Sequence, residues 1–480
     1  IVAAPTGGSP AMVSEALKNR DKQAFEQLLR QKADVNAAEV DGTTALHWAA
    51  HWNDTAAVEA LLKAGANAQA RNRYGVTPLA EACNVGNAAI IARLLDAGAD
   101  ANAVQSQGQT PLMVAARVGN VDAVRALLDH GAKVNVAEEW RGQTALMWAA
   151  GEGNAAAVQL LISRGAELNV KSKVFDFRTL KAKVGSVPMN FPRGGFTALM
   201  FASRQGHLDV VRQLVEGGAD ANLADPDGVT PLLLAITNLH YDLASYLIEK
   251  GANPGAADDR GRTPLYAAVD MHTMDVSNRP VAKLDDKLTS VDIARLLIDK
   301  KVDLNPALKR VLTPRAVLDG ADGTMGEGTT PFVRAAHSGD VAMMKMLLAA
   351  GANPRMATKA GVTALMAAAG MGWRDGKTRG TEAEVFEALK LCMSLGLDVN
   401  TVSDRGETAL HGAATRGAFP VIEFLVANGA KLDVRNKAGL TPLDKAMGKG
   451  AGQGEVRAPN EKVIALLQKL ETEQSRAAQN

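Results

Sequence analysis

Residues Gln107 to Val134 read QGQTPLMVAARVGNVDAVRALLDHGAKV, and near-copies of this string recur from one end of the 480-residue chain to the other. Thr110 followed by Pro111 suits a helix start, because a threonine hydroxyl caps orphan amides and proline at the first helical position loses no needed donor. Leu112, Ala115 and Ala116 give this helix an apolar side, with alanines small enough for a neighbouring helix to approach closely. Gly119-Asn120 breaks it. Val121, Val124, Leu127 and Leu128 then fall at helical spacing on one face of a second helix, which Gly131 stops by supplying a left-handed residue just past its end. Neither helix can bury its face alone, so the unit predicts a copy stacked on each side.

The copies are counted from the motif threonine: Thr44, Thr77, Thr110, Thr144, Thr197, Thr230, Thr263, Thr330, Thr363, Thr408 and Thr441. Most steps are 33 residues and three are clearly longer, which marks insertions. In period and in its Thr-Pro-Leu-His-x-Ala signature the chain resembles the ankyrin repeat family. Thr44-Ala45-Leu46-His47-Trp48-Ala49-Ala50 and Thr408-Ala409-Leu410-His411-Gly412-Ala413-Ala414 carry the start of that signature, and Gly98-Ala99-Asp100-Ala101-Asn102 its end. The resemblance covers roughly four fifths of the chain. It implies an all-α solenoid of stacked helix-turn-helix units joined by short hairpin loops, used as a protein-binding scaffold.

The expected organisation follows from the spacing. Residues 1–10 are a lead-in, and 11–38 an N-terminal cap with helices over Met12–Asn19 and Asp21–Gln31, whose polar face carries Lys18, Arg20, Lys22, Glu26 and Arg30. Repeats one to four occupy 39–169. An insertion at 170–194 is too apolar for a plain linker. Repeats five to seven occupy 195–305 with an inserted loop at 271–289. A second insertion at 306–327 precedes repeats eight to eleven at 328–446, which contain an inserted loop at 371–381. A glycine-rich loop, a capping helix from Glu461 to about Glu473 and a tail fill 447–480. Loops inserted between the helices of a unit leave from the same edge, so 271–289 and 371–381 are expected to project on a shared side.

Composition narrows the function classes. The 53 basic and 52 acidic side chains nearly cancel, so the one-sided positive field that nucleic acid or an anionic membrane needs is absent. No apolar run reaches the roughly 18 residues of a membrane span. Cys83 takes the small-residue slot of a first helix and Cys392 a core leucine slot, so both are expected as buried thiols. About seven repeats lie between them, tens of ångströms at roughly 8–10 Å per packed pair, against the roughly 6 Å a disulfide requires. The chain begins at Ile1 without an initiator methionine, as a processed mature terminus does, which favours export to a periplasmic or extracellular space over the cytoplasm; a trimmed chain would begin the same way.

Motifs that could carry chemistry have plainer readings. Gly448 to Gly454 lacks the preceding strand of a dinucleotide site and the terminal Lys-Ser or Lys-Thr of a P-loop, so it reads as a connecting loop. Asp319-Gly320-Ala321-Asp322-Gly323 with Glu327 departs from calcium-loop spacing and reads as a turn. Met271-His272-Thr273-Met274 offers one imidazole and two thioethers to a soft metal, too few for a built site. Asn53-Asp54-Thr55 is a formal glycosylation sequon set in a tight turn. The resemblance implies that His47 and His411 bond to neighbouring backbone. No catalytic residue, cofactor or metal is expected.

The resemblance also implies where a protein partner binds: the concave face, through the hairpin tips and the start of the turn after the first helix. At those positions stand His51, Trp52, Tyr74, Arg117, Trp140, Arg141, Arg204, Arg262, His337, Arg405 and Arg416. Tryptophan, tyrosine and arginine often dominate interface energies. Trp52, Tyr74 and Trp140 fall within four consecutive units and form a candidate aromatic patch; the plain alternative is that Trp52 and Trp140 only cover a neighbour's edge. Trp48 and Trp148, inside helices, read as packing. The partner's identity is not written in the sequence. The competing expectation is head-to-tail self-assembly into a homo-oligomer or filament.

Overall fold

The computed structural model describes residues 12–175, 183–184, 187–188, 193–273, 285–310, 312, 326–372, 380–450 and 458–479. Nearly all of the ordered elements among them are helices, in antiparallel pairs. Each first helix follows its motif threonine, and the reason is local. Thr110 Oγ1 accepts the Met113 N–H at 3.3 Å, Thr77 Oγ1 that of Ala80 at 3.1 Å, and Thr330 Oγ1 that of Val333 at 3.3 Å, while proline at N1 presets the backbone dihedral.

The described residues divide into two compact bodies, one built from residues up to 175 with 193–226, the other from 183–184, 187–188 and 227 onward. In the first, the cap helices Met12–Lys18 and Lys22–Arg30 precede five repeats. Their first helices are Ala45–His51, Pro78–Val85, Pro111–Val118, Ala145–Glu152 and Ala198–Gln205; their second helices are Thr55–Lys63, Ala88–Asp96, Val121–Asp129, Ala155–Ser163 and Leu208–Glu216. First helices pack on first helices and second on second, in sequence order. The second body repeats the scheme, with first helices Pro231–Thr237, Pro264–Thr273, Pro331–His337, Ala364–Ala368, Ala409–Arg416 and Pro442–Ala446. Their partners are Tyr241–Glu249, Ser290–Asp299, Val341–Ala349, Glu382–Ser394, Phe419–Ala427 and Glu461–Gln479. The last helix runs past Glu473 to Gln479, since nothing in Glu-Gln-Ser-Arg-Ala-Ala-Gln breaks a helix.

The core lies between the layers. Leu112, Met113, Ala115 and Ala116 are buried in the first helix of repeat three, and Ala123, Val124 and Leu127 in its second. Full burial of Leu127 contributes roughly 1.5–3 kcal/mol. Leu128, expected on the same face, is only half buried, as is Val121. At 100° per residue the face centred on Ala123, Val124 and Leu127 leaves both on its flanks. Cys83 and Cys392 are free and buried. Burial raises both thiols, that of Cys392 to about 12, so neither is a thiolate at neutral pH.

The hairpin tips are bound to one another by backbone. Arg73 N–H donates to Asp41 O at 2.8 Å, Glu139 N–H to Gln107 O at 2.8 Å, and Lys173 N–H to Arg141 O at 2.7 Å. The second body has the same rungs, as from Asp259 N–H to Asp227 O at 2.8 Å. Tip side chains are therefore carried on a fixed edge. The only strands among the described residues form a two-residue antiparallel ribbon, Lys183–Val184 with Val187–Pro188. The greater part of the insertion at 170–194, of the loops at 271–289 and 371–381, of the segment 306–327 and of the glycine-rich stretch before Glu461 lies outside the described residues, as do Met274 and Asp319 to Gly323.

Candidate functional site

The eleven candidate residues are divided between the two bodies. Seven lie in the first body, and Arg262, His337, Arg405 and Arg416 in the second. Of these four, Arg405 is exposed on a tip, while Arg416 is half buried and His337 is half buried on its helix end. Arg262 is turned inward: its Nε lies 3.0 Å from Oδ2 of buried Asp258, whose other oxygen accepts the N–H groups of Arg260 and Arg262. That side chain braces its own tip.

In the first body the candidates come together in two groups. Around repeat one, Trp52 is 36% exposed and stacks on Trp48, with ring centroids 6.2 Å apart and planes 20° apart. His51 meets Trp52 edge-on at 4.7 Å, and its Nδ1 lies 3.0 Å from Glu81 Oε2. From the cap, the Arg20 guanidinium lies 3.9 Å from the Trp52 ring centroid and Lys18 Nζ 5.4 Å from that of Trp48. Lys18 and Arg20, expected on the cap's outward polar face, instead extend this patch. Trp52 thus does both things asked of it: it covers a neighbour and remains open to solvent.

Glu39 is the anchor of this group. Its Oε1 accepts Trp48 Nε1–H at 2.6 Å and the Ser14 hydroxyl at 2.9 Å, and its Oε2 accepts from Lys18 at 2.8 Å. Burial works to raise this carboxyl, but Lys18, the indole N–H and Ser14 together hold it below the usual carboxylate range.

The second group spans repeats three to five. Trp140, 52% exposed, has the Arg141 guanidinium 4.1 Å from its ring centroid. Arg117 lies 5.4 Å from the Trp148 ring. Arg204 lies 5.5 Å from Phe196 and 5.6 Å from Phe201, and burial, with the nearby Arg141 charge, lowers its guanidinium from the ordinary value. Tyr74, 60% exposed on the tip of repeat two, accepts an N–H from Arg73 at 3.0 Å. Val85 and Val118, one and two repeats after Trp52 in the same register, are exposed as well.

Trp148 differs from Trp48 in one respect. Its indole Nε1 is buried without a hydrogen-bond acceptor, a state that costs about 1–3 kcal/mol. The tip of repeat four carries one residue more than that of repeat one, and Glu138, which occupies the place of Glu39, is turned into it. The Glu138 carboxylate accepts the N–H groups of Trp140 at 2.7 Å, Arg141 at 2.8 Å and Gln143 at 3.0 Å.

The sequence reading missed Lys18, Arg20, Glu39, Trp48, Val85, Val118, Trp148, Phe196 and Phe201 as members of this face. Counting forward from each motif threonine would have found several: the fourth position holds Trp48, Trp148 and Phe201, and the eighth Trp52, Val85 and Val118. The motif histidines behave as expected. His47 Nδ1 accepts the Thr44 N–H at 3.1 Å and its Nε2–H reaches Val76 O at 3.0 Å; His411 does the same with Thr408 and Leu440 at 3.1 Å each. His272, weighed as a metal ligand, has its Nδ1 2.5 Å from Asp340 Oδ2. No metal-binding group of acidic, histidine or cysteine side chains occurs among the described residues, and none of their helices is long and apolar enough to cross a membrane.

Within each body, helix pairs stacked through a shared core, with tips strung on backbone rungs, define a repeat protein of the helix-turn-helix kind. The ankyrin repeat model matches residues 13–105, 79–172 and 199–307, with related ankyrin models matching 327–359 and 394–446. The chain belongs to the ankyrin repeat family, whose repeats are generally protein–protein interaction modules and whose fold is typically a non-catalytic scaffold. It is 36% identical over 115 residues to human ankyrin repeat and KH domain-containing protein 1, covering 24% of this chain and 4% of that one. It is 33% identical over 118 residues to mouse ankyrin repeat and SOCS box protein 16, covering 25% of each, and 33% identical over 119 residues to rat ankyrin repeat domain-containing protein 46, covering 18% of this chain and 49% of that one. The chain therefore spans less than half the length of each of these relatives. The crystal structure of the human ASB11 ankyrin repeat domain matches at 24% identity and a TM-score of 0.41, over 52% of this chain and all of that one.

Proposed function

We propose that this chain is a protein-binding scaffold that receives its partner on the concave face and hairpin tips of repeats one to five. The observation that carries this reading is the exposure of Trp52, Tyr74 and Trp140 in one compact body, each with an arginine over or beside its ring. Large aromatic rings held in place by stacked guanidinium groups lose little rotamer freedom on binding, so more of their contact area is realised as affinity. Val85 and Val118, exposed in the register of Trp52, add apolar surface to the same body.

Changing Trp52, Tyr74 and Trp140 together to alanine should leave the far-UV circular dichroism nearly unchanged, with a lower unfolding midpoint only from the packing that Trp52 makes with Trp48 and Arg20, while removing bound protein in affinity purification from the native source. Partner capture that survives the triple substitution would take this face out of consideration. Light scattering over a concentration series separates this reading from self-assembly: a scaffold stays at one mass, and head-to-tail growth raises it.

A further inference from the structure

The rung that joins the tips of repeats four and five has a counterpart between repeats eight and nine. Lys173 N–H donates to Arg141 O at 2.7 Å, and Lys359 N–H to Glu327 O at 2.8 Å. The register is the same, since Gly142 and Gly328, which follow the two acceptors, both hold positive φ. The side chains differ. Lys359 Nζ lies 2.8 Å from Glu327 Oε1, so that ammonium is compensated by the tip before it. In the first body an arginine takes the place of that glutamate. Arg141 and Lys173 put two cations on adjoining tips, and among the described residues no ion pair joins either to a carboxylate. The Arg141 guanidinium lies 4.1 Å from the Trp140 ring centroid, and the ammonium groups of Lys173 and Lys171 reach backbone carbonyls, those of Glu139 and Ala224. The nearby acids are engaged elsewhere. Glu138 is buried and accepts the N–H groups of its own tip, and Glu139 lies over Gly108 of the preceding tip, where an added β-carbon would meet its Cγ at 2.8 Å. Trp140, Arg141, Lys171 and Lys173 are all exposed.

We infer that the tips of repeats four and five take an acidic segment of the protein partner, with an Asp or Glu carboxylate between the Arg141 guanidinium and the Lys173 ammonium, as Glu327 serves Lys359, and an apolar neighbour of that residue against Trp140. The inference rests on the scaffold reading above and adds the chemistry of one contact. Like charges directly opposite each other on paired backbone are destabilising, and a carboxylate brought from outside removes that repulsion. A guanidinium over a ring keeps in-plane N–H donors for a carboxylate, and its fork geometry suits two oxygens. Every group involved is open to solvent. A nucleic acid is the weaker fit, because 53 basic against 52 acidic side chains give no extended positive field for a phosphate chain. Arg405 and Lys437 also meet across a rung, at 2.9 Å, in the second body, but among the described residues no exposed aromatic ring stands beside them.

The test uses the full chain as bait for a random phage-displayed peptide library, with binding of synthesised winners read by fluorescence anisotropy. The expected winners carry Asp or Glu beside an apolar residue, and their affinity falls with added salt and falls roughly tenfold or more on Arg141→Glu, on Lys173→Glu, and on Glu→Gln or Asp→Asn within the peptide. Arg141→Glu also recreates the Glu–Lys pair of repeats eight and nine, so its urea unfolding midpoint is expected to hold or rise, which separates lost binding from lost fold. Arg141→Gln keeps the test decisive should either reversal fold poorly. Arg405→Glu, the same change at the other cation pair, is expected to leave affinity unchanged. Acidic winners that respond equally to Arg141→Glu and Arg405→Glu overturn this inference and leave the scaffold reading standing. So do winners that contain no acid, ignore Arg141→Glu and lose affinity with the Trp52, Tyr74 and Trp140 triple substitution. Winners indifferent to all of these substitutions, or no winners, overturn both. Displacement of an acidic winner by an oligonucleotide at equal concentration would assign the two cations to a phosphate backbone and overturn the inference as well.

Discussion

Arg334 Nε donates to Asp270 Oδ1 at 2.6 Å, joining the first helices of repeats eight and seven through a nearly buried ion pair. Their side chains are 16% and 11% exposed, and Arg334 also donates to the Ser338 hydroxyl at 3.1 Å. Such a pair is costly to break from one side because a charge is then left buried alone. Asp270→Ala should destabilise the protein by about 3–5 kcal/mol, whereas Asp270→Ala combined with Arg334→Met should lose much less. Urea unfolding of the two single variants and the double variant gives the coupling directly, and strictly additive losses would mean that the two charges do not depend on each other.

The motif histidines make stability depend on pH in a definite sense. Burial lowers the pKa of both His47 and His411 from the ordinary value of 6.5, and Nδ1 accepts the threonine N–H only while it is unprotonated. The unfolded chain then binds more protons than the folded one, so their contribution is fully present above about pH 6.5 and is lost as pH falls through that value and the lower folded one. His130 opposes this: its bond to Ala126 O and then to Asp96 raises its pKa, and what it adds is lost as pH rises. Replacing His47 and His411 by glutamine should therefore flatten the decline in unfolding free energy between about pH 7 and 5 relative to the parent. An unchanged slope would show that these rings titrate normally.

Nine of the second helices end on a left-handed glycine, as at Gly65, Gly98 and Gly131, but Lys301 holds that place in repeat seven at φ +57°. A β-carbon built on Gly131 meets nothing within 4 Å, so the difference lies in the backbone alone. Lys301→Gly should stabilise by about 1 kcal/mol, the left-handed cost less the extra entropy glycine gives the unfolded chain. Gly131→Ala should cost a similar amount. Chemical denaturation of both variants checks the pair of signs.

The two related tryptophans should respond differently to loss of the indole N–H. Trp48→Phe removes a charge-assisted bond to Glu39 and should cost about 1.5–3 kcal/mol beyond its packing loss. Trp148→Phe removes a donor with no acceptor, so its cost should be packing alone. Equal losses in thermal or chemical unfolding would mean that Trp148 N–H is satisfied in the folded chain.

Much of the architecture was readable because the repeat is written locally. Thr110-Pro111, the paired alanines and the stop at Gly131 act within a few residues of themselves, so one unit can be deduced and the rest counted. The face of a second helix was readable to within one flank: the spacing picked Val124 and Leu127 correctly but took in Leu128, whose burial depends on how closely the next repeat approaches. The candidate surface was less legible. Position alone selected Arg262 and Trp52 alike, yet Asp258 folds Arg262 into its own tip while the Trp48 ring and Arg20 prop Trp52 outward.

What the chain's letters determined by themselves is the periodic helical pair, with its caps and breaks, since these rest on interactions spanning three or four residues. Only the tertiary structure decided which side chains share a partner. Lys18 with Glu39 and Trp48, Arg117 with Trp148, and Asp270 with Arg334 each join neighbouring units, and a single residue added to the tip of repeat four turns Glu138 away from an indole that would otherwise resemble Trp48. Contacts of that kind depend on the relative placement of units a few tenths of an ångström at a time, and no local pattern encodes it.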